Sequence, residues 1–246
     1  MLYIQKDHPD LDVPKTLNRI QKALQAELKP LGFTKHGRSH HRFVDGDISQ
    51  VINFQCGQSI YDRTHLVVVN VAVRIPEVDL KGFHGDAELK KYYKEYECNL
   101  RSRLGLVGGQ KVIEYDLSGN EDEITEDILR RVKTDVLPFF ERYGSRDAIL
   151  KELQEKPKSP MRTSGYEHEG DFAMAMIYGR RGDMERAYEA YNMYFRGAIK
   201  RCIRWYDEKR AKGWARSYIE DAEKRGIPIT EENMALAKAF LERKIK

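Results

Sequence analysis

Cysteine is scarce in this chain of 246 residues, which has only three: Cys56, Cys98 and Cys202. They are odd in number and far apart, so neither a disulfide framework nor a CxxC metal clip is available. A reducing cytoplasm is the expected location. No apolar run approaches the roughly 18 residues that a membrane span needs, and the first residues lack the basic stretch and apolar core of a signal peptide. Neither sign of charge dominates: 43 basic against 39 acidic side chains leave a net charge of +4. Charge alone therefore does not point to nucleic acid.

Several catalytic signatures are also missing. The glycines of "RLGLVGGQK", Gly105, Gly108 and Gly109, fit neither GxxxxGK[ST] nor GxGxxG, and read as a turn. There is no GxSxG elbow and no HExxH pair. The three cysteines lack an activating neighbour and are expected to be packing residues. No catalytic residue, metal ligand or cofactor is assigned, and the balance leans away from an enzyme.

What is present is a soluble composition, 41 % hydrophobic and 33 % charged. Residues 14 to 30 carry apolar side chains at Leu17, Ile20, Ala23, Leu24 and Leu28, a helical stripe that Pro30 and Gly32 close. From Phe33 to Ile75 the pattern is that of strands. Asp45-Gly46-Asp47 suits a hairpin turn. "HLVVVNVAVRI" sets Val67, Val69, Val71, Val73 and Ile75 on one face, and Pro76 ends it. Residues 77 to 108 read as loop or short helices, and "KVIEYDL" as a last strand. Residues 120 to 143 read as a helix capped by Asn120, with a break at Pro138.

The expected class is thus α+β: a small antiparallel sheet with helices on one face, followed by an all-α helical-hairpin region. The expected division is residues 1–150, a linker at 151–168 and helices over 169–246. In that last part Ala175, Tyr178, Gly182, Ala187 and Tyr191 have the spacing of a tetratricopeptide-like helix pair. A second, poorer pair follows over 213–243. Two units fall short of the three or so that a repeat array needs.

Two features invite a functional reading. In "RSHHRF", His40 and His41 are adjacent on a strand, so they point to opposite faces and cannot share a metal. One is expected to face solvent and the other to pack. The helix expected from Ala187 to Ala211 carries Arg196, Lys200 and Arg204 four residues apart, a basic stripe. Arg201, Lys209, Arg210, Lys212 and Arg216 lie close by, interleaved with Trp205, Tyr206, Trp214 and Tyr218. Such a surface suits an acidic protein, or a nucleic-acid backbone with stacked bases.

The order Gly32-Phe33, Gly37-Arg38, Arg42, Asn53-Phe54-Gln55, Asn70-Val71 and Arg101, Arg103, Gly105 resembles the bacterial family called domain of unknown function 4304. The likeness covers residues 15 to 143 and leaves the C-terminal helices unmatched. The family usually carries aromatics where His40 and His41 stand, which implies packing positions in a hairpin. It supplies no activity to carry over.

Three functions are weighed. First is a non-catalytic module that binds an unidentified protein partner, immunity proteins being one such class. Second is an enzyme or ligand binder using Arg42, Asn53, Gln55, Asn70, Arg101 and Arg103 on the sheet. Third is nucleic-acid binding through Arg196, Lys200 and Arg204, ranked behind the protein partner. No membrane role is expected.

Overall fold

The computed structural model describes residues 11–58, 65–79, 83, 89–155, 169–205 and 207–243. The chain forms two compact units. One is Met1–Arg74 with Lys90–Ile149, the other Ile75–Leu89 with Leu150–Lys246.

In the first unit α1 (Val13–Leu28) begins with Asp12, whose side chain accepts the backbone N–H of Lys15 at 3.0 Å. That satisfies one of the donors a helix start leaves open. Its apolar stripe, Leu17, Ile20, Leu24 and Leu28, is buried against the sheet side of the unit. The chain reverses at Gly32, which takes φ +86°, a conformation glycine reaches without strain.

Among the described residues six strands follow: β1 (Thr34–His36), β2 (Ser39–Val44), β3 (Ile48–Gln58), β4 (His65–Arg74), β5 (Leu100–Arg103) and β6 (Tyr115–Asp116). They pair antiparallel in the order β1-β2-β3-β4-β5, with β6 on the first part of β4. The expected α+β class is what the structure shows. Val67, Val69, Val71, Val73 and Ile75 are at most 1 % exposed, as the alternation of β4 requires.

Two strands differ from expectation. Leu100–Arg103, expected in a loop, is a strand paired with β4. "KVIEYDL" contributes only the two residues of β6. Asn120 caps α2 (Glu121–Arg131) by accepting the N–H groups of Asp122 and Glu123. The expected break falls just before Pro138, as a π turn over Val132–Val136 that leads into α3 (Leu137–Arg142). Proline brings no N–H and crowds the carbonyl four residues back, and the wider turn makes room. The three-residue hairpin loop Asp45-Gly46-Asp47 holds Asp45 at φ +46° and is clasped by Arg146.

Helix α4 (Arg146–Glu155) occupies the first residues of the expected linker, whose remainder, 156–168, lies outside the described residues. In the second unit α5 (Glu169–Arg180) and α6 (Met184–Arg204) make the hairpin predicted around Gly182, which takes φ +81°. Helices α7 (Glu208–Arg225) and α8 (Glu231–Glu242) make the second pair. The single helix expected over 187–211 is two. It stops at Arg204, and Asp207 restarts it by accepting the N–H of Arg210 at 3.0 Å. The Asp207 carboxylate serves as a cap, so it does not simply offset the local positive charge.

Candidate functional site

The two faces of the sheet have different jobs. Toward α1 and α3 it presents His40, Ile48, Gln50, Ile52 and Phe54, all buried, beside the β4 valines. Arg42 belongs to this face. It donates from Nε to Gln50 Oε1 and from a terminal nitrogen to the Leu31 carbonyl, each at 2.8 Å, and it stacks over Phe33. Gln50 in turn donates to the Phe140 carbonyl at 2.7 Å. Arg42 ties the hairpin to the core, and burial lowers its pKa from the usual value.

The outer face carries the other sheet candidates, and the register aligns them. Ser39 stands opposite Asn53, Asn53 opposite Asn70, and Asn70 opposite Arg103, one straight row across β2, β3, β4 and β5. Cross-strand neighbours are close enough for side chains to bond. Asn53 Nδ2 donates to Ser39 Oγ at 2.9 Å. Asn70 Nδ2 donates to Asn53 Oδ1 at 3.4 Å and to Gln55 Oε1 at 3.1 Å. Asn70 is 6 % exposed, while Gln55, Arg101 and Arg103 are open to solvent. Neither arginine forms an ion pair or hydrogen bond with the described residues.

The neighbouring row on this face, His41, Val51, Ala72 and Arg101, is partly roofed. Tyr93 and Cys98 pack with Val51 and Ala72 in one buried cluster. Tyr92 lies beside His41 and stacks on His36 with ring centroids 3.7 Å apart. The roof corrects one expectation: neither adjacent histidine faces solvent. His40 is fully buried on one face and His41 is 8 % exposed on the other.

His40 Nδ1 meets Gln25 Oε1 at 2.8 Å, and burial drives its pKa down to about 4. His41 Nε2 shares a hydrogen bond with Thr34 Oγ1 at 3.0 Å and is shifted in the same direction by burial. Burial pushes the Cys98 thiol up to about 12, which leaves little thiolate to react, and it raises Cys202 as well. Among the described residues no group of three His, Cys, Asp or Glu side chains is placed to hold a metal.

The basic stripe lies in the second unit. Arg196 is paired with Glu232 at 2.9 Å beside an open groove of about 540 Å³, while Lys200 and Arg204 are exposed. Lys212 turns inward, 4 % exposed, toward Glu208 and the Arg243 carbonyl. Trp205 and Trp214 meet edge to face, with Arg210 over Trp214, and Tyr218 packs on Tyr194. Tyr206 lies outside the described residues. Sequence reasoning named the individual polar residues but missed the row that Ser39 completes, because cross-strand partners far apart in the chain leave no local signal.

Residues 24–142 match the model of the family described as Domain of unknown function (DUF4304). The matched stretch begins within α1, contains every strand described above and ends with α3. The C-terminal helices fall outside the match. No curated protein and no solved structure matches the chain.

Proposed function

We propose that this protein is a non-catalytic binding module that holds an acidic protein partner on the outer face of its sheet. The observation that carries this reading is the pair Arg101 and Arg103, exposed on one strand and without a carboxylate partner among the described residues, with Arg103 at the end of a hydrogen-bonded amide row. Exposed cations beside a rigid polar row favour a partner of opposite charge and fix its orientation. The buried, proton-poor state of His40 and the raised pKa of the Cys98 thiol support a binding role over general acid–base or nucleophilic work at those side chains. The basic stripe is a weaker candidate for nucleic acid, because Arg196 already has a carboxylate and Lys212 is buried.

The test is affinity capture from host extract with the wild-type chain and with Arg101→Glu/Arg103→Glu, both checked for folding by circular dichroism. A partner retained by the wild type and lost by the folded double variant is the expected result. Equal capture by both chains would remove the sheet face from consideration.

A further inference from the structure

The outer face offers more than positive charge, and this narrows what fits there. Arg101 and Arg103 alternate along β5, so their side chains leave the same face. Residues two apart on a strand are separated by roughly 7 Å. An extended peptide has the same repeat, so acidic residues at alternate positions of such a peptide meet both guanidinium groups at once. Adjacent acidic residues point to opposite sides and offer only one.

The amide row adds a second point of contact. Asn70 spends its Nδ2 donors on Asn53 and Gln55, while Asn70 Oδ1 accepts no hydrogen bond from the described residues. Asn70 Oδ1 is not sealed from solvent, so it stays open as an acceptor for a donor on a ligand. A ligand that brings an N–H as well as carboxylates can use this oxygen and both arginines together. A single phosphate cannot reach two guanidinium groups roughly 7 Å apart, and simple dicarboxylates, ionised at neutral pH, have acceptors only. A peptide backbone has both.

From this juxtaposition we infer that the outer sheet face binds an extended acidic peptide segment of a partner protein. Carboxylates two residues apart sit on Arg101 and Arg103, and a backbone N–H is directed at Asn70 Oδ1. Gln55 and Asn53 flank the backbone, and Ser39 anchors the far end of the row. The inference rests on the reading given under Proposed function and adds to it the conformation and spacing of what is bound.

Two labelled peptides of equal composition test it by fluorescence anisotropy at low salt: one with glutamates at alternate positions, one with the glutamates adjacent. The alternate peptide should bind about tenfold more tightly, the value of one additional charge-assisted contact. Arg103→Gln should abolish that preference and Arg103→Lys should keep part of it. Excess phosphate or succinate should compete poorly.

Equal affinity for the two peptides, or efficient displacement by succinate, would overturn the inference. If partner capture still depends on Arg101 and Arg103 in that case, the binding-module reading survives and only the peptide geometry fails. If capture is also indifferent to both arginines, the two fall together.

Discussion

His40 and Gln25 meet at 2.8 Å, the Nδ1–H of a fully buried imidazole directed at the amide oxygen of a side chain on α1. The other ring nitrogen, Nε2, is buried with no hydrogen-bond partner among the described residues. The neutral ring is the form that suits this site, since a proton on Nε2 would bury an uncompensated charge.

Stability should therefore fall on acidification. The unfolded histidine titrates near 6.5 and the folded one near 4. Below the unfolded value the unfolded chain takes up a proton that the folded chain refuses, and the loss is complete once pH drops below the folded value. The full effect is about 3 kcal/mol. His40→Phe should flatten this part of the profile. Urea unfolding at neutral pH and near pH 4.5 measures it, and an unchanged slope in the variant would refute the assignment.

Arg146→Ala should loosen the β2–β3 hairpin. Its guanidinium holds the Asp45 carbonyl at 2.8 Å, the Asp45 carboxylate at 3.2 Å and the Asp47 carboxylate. The arginine and Asp47 are both largely shielded, so the loss should be about 1–2 kcal/mol, above that of an exposed pair. Amide exchange should rise first at residues 44–48.

In the second unit Gly179 on α5 should resist alanine. A Cβ there would lie 2.2 Å from the Phe83 ring. Alanine is the better helix former, so an exposed site would gain stability. Here the ring must shift, and a cost of about 1–3 kcal/mol is expected. Adding Phe83→Leu to Gly179→Ala should recover part of the lost melting temperature; strict additivity would show that the two do not touch.

Tyr191→Phe should cost about 1–2 kcal/mol, because the buried hydroxyl donates to Asp221 at 2.9 Å and Asp221 also accepts from Arg225. Asp221→Asn should reproduce much of the loss, and the double variant should add little. Thermal denaturation of the three chains gives the coupling.

The elements legible in the sequence were those with a local cause. The valines of β4 declare a strand through their period of two, and α1 and the Asn120 cap are equally direct. β5 was missed because Leu100–Arg103 is short and polar, and its only claim to be a strand is a partner some thirty residues earlier. The end of α6 was written in Asp207-Glu208, a capping signal that the run of surrounding cations obscured. Both histidines were expected to divide between solvent and core; the roof of Tyr92 and Tyr93 over the outer face comes from a segment without periodic pattern. The polar residues of the site could be named from the sequence, yet their alignment depends on register, which emerges only when the strands pair.

That register has a consequence in numerical parity. On β3 the even-numbered residues 48, 50, 52 and 54 build the main core, and the odd-numbered residues take the other face, where 49 and 51 are covered and 53 and 55 belong to the polar row; on β4 the parity is reversed. The polar row and the main core are thus written on alternate letters of the same strands. Substitution at the exposed positions 101 or 103 changes the charge of this face without removing a buried side chain. Inserting one residue within a strand would exchange the two alphabets beyond that point and break the row and the core together.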